Sequence, residues 1–168
     1  MPLAGFFIGF ELFGLFAAAM ISLLLGVMVM GMNWIKTGRL ARFALFSLVM
    51  SAGLTFAALY FNAAIFIKIQ PTIFNGLFAA VLLGGLLVRR AMMREFFSTQ
   101  FQLTLPTWFL LSRRWGLFFL CLAIANELVW RNASDDEWVA FKTFIAAPAS
   151  VLFMMAQLPL TLRGRITN

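Results

Sequence analysis

Five apolar runs, at about 12–32, 43–64, 71–88, 115–130 and 141–162, fill most of the chain, with short polar connections between them. An α-helix needs about 20 apolar residues to cross roughly 30 Å of hydrocarbon, and four of the runs have about that length. The run 115–130 is shorter, at about 16 residues, so it is expected to tilt little or to extend into the stretch before it. None of the runs alternates at period two as the strands of a membrane barrel do. Inside a bilayer the backbone has no water to bond, which leaves helices as the spanning elements. The pattern predicts an all-α bundle of five transmembrane helices, forming a single transmembrane domain over 1–168.

The basic residues between the runs alternate in density. Lys36, Arg39 and Arg42 follow the first run, Lys68 alone the second, and Arg89, Arg90, Arg94, Arg113 and Arg114 the third. Arg131 and Lys142 flank the acidic turn after the fourth, and Arg163 and Arg165 follow the fifth. Sorted by side, this places ten basic residues on one face and three on the other. Short loops rich in Lys and Arg stay in the cytoplasm. The expected topology has the N-terminus outside and the C-terminus in the cytoplasm.

Composition agrees with a membrane chain: 63% hydrophobic, 11% charged, mean hydropathy +0.96. That leaves too little polar surface for a soluble domain. The net charge of +7 sits in loops beside the spans, where orientation in the membrane accounts for it and nucleic acid is not needed as a partner. There is no histidine, which removes His-ligated metals and haem and His base catalysis. The single Cys121 excludes an internal disulfide and, among Phe118, Leu120 and Leu122, is expected to be a buried, inert thiol. The first residues show no basic n-region and no A-x-A cleavage site, so the first helix is read as a retained span. Residues 1–11 are apolar but too short to cross; they are expected to lie in the interface or to extend the first helix, and Gly5 and Gly9 have the spacing of a close helix contact.

The stretch 95–114 is too polar to span and too apolar for water, and is expected to run along the cytoplasmic surface. Trp34, Trp108, Trp115, Trp130 and Trp138 are candidate interfacial anchors. Arg89, Arg90, Arg94, Arg113 and Arg114 are candidate contacts for anionic lipid head groups. Between Trp130 and Trp138 lies a short acidic turn in which Asp135 is expected to cap the last helix, with Asp136 and Glu137 in its first turn.

Polar groups within a bilayer are costly, at least ~2.5–3.5 kcal/mol for a charge near the centre, so they mark where function is sought. Glu11, Lys68, Asn75, Asn126, Glu127, Arg131 and Lys142 come from five predicted helices, and the topology gathers them near the outer leaflet. Glu127 and Arg131 have the i, i+4 spacing of a pair on one helix; the hypothesis is that Glu127 instead pairs with a basic residue of another helix, Lys68 or Lys142. Such a cluster either ties the outer ends of the helices together or forms a polar cavity for a lipid head group or a partner's polar residue. No nucleophile beside a base, no metal-ligand set and no phosphate loop is visible, so neither catalysis nor a cofactor is expected. A transporter is disfavoured, because the polar groups avoid the midplane and no internal repeat is evident.

Three stretches resemble the intracellular septation protein A family, also called the YciB or IspZ inner-membrane proteins. They are Phe66-Ile67-Lys68-Ile69-Gln70-Pro71-Thr72-Ile73 followed by Leu77-Phe78-Ala79; Asn126-Glu127 with Val129-Trp130-Arg131-Asn132; and Trp138-Val139 with Phe141-Lys142 and Phe144. Gln70 stands where the family usually has lysine. The resemblance implies a five-helix bacterial inner-membrane protein with a role in cell-envelope maintenance and septation, contacts with elongation and division proteins, and no enzymatic activity. An accessory subunit of a larger membrane complex and a lipid-handling or transport-related protein are the alternatives.

Overall fold

A computed structural model describes residues 2–37, 42–98 and 102–166. Eight α-helices carry these residues: α1 (Pro2–Thr37), α2 (Arg42–Tyr60), α3 (Ile65–Lys68), α4 (Gln70–Leu87), α5 (Met92–Phe97), α6 (Leu105–Asn132), α7 (Asp135–Ala140) and α8 (Ala147–Arg163), with a π-helical turn at Phe141–Ala146 joining the last two. Each expected run falls on a helix. Four stretches are long and apolar enough to cross a membrane, Ala4–Lys36, Ile65–Leu87, Leu105–Asn132 and Asp135–Arg163, and Leu48–Tyr60 is a shorter apolar helix. The chain is a multi-helix membrane protein. Its contacts divide it into two compact units, Met1–Gln70 and Pro71–Asn168. Arg39, and positions 99–101 of the expected surface segment, lie outside the described residues.

In the first unit, α1 does not continue straight. Gly14 has φ 82° and ψ −178°, a region open essentially to glycine, and the chain reverses there. A straight helix would hold Gly5 and Leu25 about 30 Å apart at 1.5 Å per residue. Instead a Cβ at Gly5 would collide with Leu25, and one at Gly9 would lie 2.8 Å from Ile21 Cδ1 and 3.1 Å from Ala18 Cα. The first residues therefore do not extend the helix straight; they form a short leg folded back on the longer one that begins after Gly14. Small residues are also buried in this unit, Ala18 and Ala19 on α1 and Thr55 and Ala58 on α2, and a Cβ at Gly26 of α1 would lie 3.2 Å from Leu48 Cδ1 of α2. Without a hydrophobic drive between helices in lipid, close backbone approach is what holds such pairs. Asn62 closes α2: at φ 47° it lets Ala63 N–H reach Ala58 O at 2.9 Å.

In the second unit, α6 runs over 28 residues, about 42 Å. The short fourth span therefore extends backward, and Leu105–Arg114, expected to lie along the surface, is its beginning. The start has local causes: Thr104 is extended at the N-cap, and Pro106, whose missing N–H costs nothing there, occupies the first turn. Aromatic rings tie α6 to its neighbours. Phe118 stacks on Phe153 at 4.1 Å, Trp115 meets Phe153 edge-on at 5.0 Å, and Phe119 meets Phe78 at 5.2 Å. Cys121, expected to be buried, is exposed on the surface of α6.

At the arginine-rich end of this unit, α5 and the start of α6 build a small core of Ala91, Leu103, Trp108 and Leu111, with Met93, Phe109, Trp115 and Leu160 packed around it. Trp108 is thus a core residue and not a lipid-facing anchor. The chain after α8 closes this core: Thr104 N–H donates to Gly164 O at 2.9 Å and Ile166 N–H to Gln102 O at 3.0 Å. The turn from α4 to α5 is tight because Arg89 adopts φ 57° and Arg90 N–H bonds Gly85 O at 2.8 Å.

Pro148 and Pro159 lie within a helical path that runs continuously from Asp135 to Arg163. Pro148 has no N–H to give and its ring crowds the carbonyl four residues back. The preceding turn widens to π geometry, its last bond running from Ala147 N–H to Lys142 O.

Candidate functional site

The outer-leaflet residues expected to cluster divide between the two units. Glu11 is exposed on the short first leg of α1, and Lys68, half-buried, ends α3; both belong to the first unit. Asn75, Asn126, Glu127, Arg131 and Lys142 belong to the second. There the last two turns of α6, the first turn of α4 and the α7–π segment converge.

Asn126 is the centre and is 3% exposed. Its Nδ2 donates to Thr72 Oγ1 at 2.8 Å, and its Oδ1 accepts from Trp138 Nε1 at 3.0 Å. One amide therefore bonds α4 on one side and α7 on the other. Thr72 Oγ1 in turn donates to Glu127 Oε2 at 3.1 Å. The same oxygen accepts Trp130 Nε1 at 2.8 Å, while Oε1 accepts Arg131 Nε at 2.6 Å and lies 2.6 Å from Nη2. The base that meets Glu127 is thus Arg131 of its own helix, and the contact from another helix is a hydroxyl. With the Arg131 side chain 60% exposed, the ion pair itself contributes ~0–1 kcal/mol. Arg131 also lies over the Trp130 ring at 4.7 Å, and Lys142 Nζ over the Trp138 ring at 5.1 Å. Asn75 stands on α4 one turn after Thr72.

Trp138 is fully buried, so it is a structural donor and not the interfacial anchor expected of it. Trp130 is half-buried and donates to Glu127, Trp115 is half-buried in the aromatic stack, and Trp34 is exposed. Thr72 was missing from the expected set; its place next to Pro71, at the start of an apolar helix, was the available signal. The cap of α7 is Ser134 and not Asp135. Its Oγ accepts from Glu137 N–H at 3.3 Å, and Glu137 Oε2 accepts from Ser134 N–H at 2.8 Å. This reciprocal pair sets the direction in which α7 carries Trp138 into the site.

Arg89, Arg90, Arg94, Arg113 and Arg114 are all exposed at the other end of the unit. Arg114 Nη1 donates to the buried Gln157 Oε1 at 3.2 Å. Among the described residues no group of three His, Cys, Asp or Glu side chains could hold a metal.

The network is a set of side-chain hydrogen bonds spanning three elements. It fixes the ends of α4, α6 and α7 against one another.

Comparison with known proteins gives a family match over residues 1–166, described as Intracellular septation protein A. Among curated proteins, the inner membrane-spanning protein YciB of Mesorhizobium japonicum is 42% identical over 169 residues, covering 99% of this chain and 73% of its own. Its namesakes in Sinorhizobium fredii and Bradyrhizobium sp. are 41% and 38% identical, covering 89% and 96% of this chain and 69% and 81% of theirs. No solved structure matches.

Proposed function

The chain belongs to the intracellular septation protein A family and is a multi-pass protein of the bacterial inner membrane, and from that premise we propose that it serves septation and envelope maintenance without catalysis, by docking its helices against those of other inner-membrane proteins. One observation carries this reading. On α4, Gly76, Ala80 and Gly84 recur at four-residue spacing, and a Cβ added at Gly76 or Gly84 would meet no atom within 4 Å. The adjacent Gly85 and the facing Gly116 are used inside the unit: a side chain at Gly85 would strike Met92 and one at Gly116 would lie 2.7 Å from Leu83. The same helix thus has one small-residue face that is filled and one that is open. A stripe of this spacing is the surface on which transmembrane helices approach closely.

The Asn126 network supports the docking role by tying the start of α4 to α6 and α7. In this reading the arginine-rich end is cytoplasmic and the Asn126 end periplasmic.

The test is photo-crosslinking in cells from a probe at Ala80, with Gly76→Leu and Gly84→Leu as variants. A defined membrane-protein adduct that disappears in either variant, together with a septation defect, is expected. Adducts to division or elongation proteins favour the family role; a stable stoichiometric complex after mild solubilisation without crosslinking favours an accessory subunit. An adduct pattern and growth unchanged by both variants would remove the proposal.

A further inference from the structure

The second unit has a groove that neither the Asn126 network nor the open stripe uses. Leu86, near the end of α4, and Phe109, Leu110 and Arg113 of α6 line a cavity of about 300 Å³. That is the lower end of the roughly 300–1,000 Å³ of small-ligand sites. Three of the walls are hydrocarbon and offer no hydrogen bond. The fourth, Arg113, lies one turn beyond Phe109 and Leu110, on their side of the helix.

The surroundings of Arg113 are strongly basic. Met93 N–H donates to Ser112 Oγ at 3.2 Å, which fastens α5, with Arg94, beside Arg113. The turn leading into α5 carries Arg89 and Arg90, both exposed. Among the described residues of this turn and helix the one acid is Glu95. Arg114, by contrast, is engaged with Gln157.

We propose that this groove seats one anionic phospholipid, with its phosphate on Arg113 and an acyl chain along Leu86, Phe109 and Leu110. The guanidinium fork matches two phosphate oxygens. The apolar walls require hydrocarbon below it, which a soluble anion lacks. A choline head group would add a cation to an end already crowded with them. Basic pockets between membrane helices on the cytoplasmic side recognise lipids by these terms.

The experiment is native mass spectrometry of the full chain in detergent, titrated with phosphatidylglycerol, with phosphatidylcholine of the same chains, or with inorganic phosphate. One phosphatidylglycerol is expected to be retained about ten-fold better than phosphatidylcholine. Arg113→Gln should reduce retention to the phosphatidylcholine level. Leu110→Trp, which fills the groove and keeps every arginine, should lower it as well, while Arg163→Gln should leave it unchanged. Equal retention of the two lipids, or retention unaffected by both groove variants, would overturn the proposal. So would competition by millimolar inorganic phosphate that matches the lipid, since the acyl chain would then contribute nothing. Because Gly76 and Gly84 are untouched, failure here leaves the docking reading standing.

Discussion

Trp138→Phe is the most direct probe of the polar network. It removes the Nε1 donor that reaches Asn126 Oδ1 at 3.0 Å, between residues 0% and 3% exposed. Interhelical hydrogen bonds in membrane proteins average about 0.6 kcal/mol, with a maximum near 1.7. Here the value should lie toward the upper end, because the amide oxygen is left orphaned in a buried site. Loss of one fused ring adds on the order of 1 kcal/mol of packing. The single variant should therefore lose about 2–3 kcal/mol. A double-mutant cycle with Asn126→Ala isolates the bond, and a coupling of about 0.6–1.7 kcal/mol is expected. The cation–π contact of Lys142 weakens in both arms of the cycle and cancels. Unfolding by sodium dodecyl sulfate from mixed micelles, followed by far-ultraviolet circular dichroism, supplies the free energies. Additivity within about 0.3 kcal/mol would refute the account of Asn126 as the centre of the site.

Three further outcomes are expected. Gly14→Ala places a Cβ at φ 82° and should cost about 1–3 kcal/mol in the same unfolding assay, whereas Gly31→Ala, where a Cβ meets nothing within 4 Å, should cost little. Ser134→Ala removes the reciprocal cap of α7 and should cost ~1 kcal/mol; Ser134→Asp, which restores an acceptor, should recover most of it. Gly164→Leu drives a side chain into Thr107 and should open the pairing of the tail with Gln102 and Thr104, measured as faster proteolysis at the arginine-rich end with the helix content unchanged.

Hydropathy was enough to locate the helices, because burying a backbone in lipid admits few alternatives and run length fixes what can cross. It was less informative about ends. The start of α6 was missed: Thr104 and Pro106 were available as signals, but the polar residues of 95–114 made the stretch read as a surface segment. The reversal at Gly14 was not legible, since apolar residues flank it on both sides and a lone glycine reads equally as helix; the Gly5–Gly9 spacing was its one trace. Spacing on one helix allowed the Glu127–Arg131 pair, but the expected partner was a base of another helix, and which helix meets Glu127 is not written in its own sequence. Thr72 and Trp138 required knowledge of which helices meet. The tryptophan rule assigns a depth and not a direction, so it could not tell Trp138, turned into the protein, from Trp34, turned out.

The π turn has a consequence for how the chain tolerates changes in length. An α-helix advances about 100° per residue, and the widened turn at Phe141–Ala146 absorbs one residue more than an α turn would. Deleting one residue there would let the segment close into plain α-helix with the residues from Ala147 to Arg163 still facing as they do now. Deleting one residue between Ala147 and Phe153 would instead turn the rest of α8 by about 100° about its own axis. Phe153 would swing off Phe118 and Gln157 off Arg114, although neither side chain had changed. The turn is therefore the slack in this helix, and single-residue differences in length should be tolerated within it and not in the α-helical turns beside it.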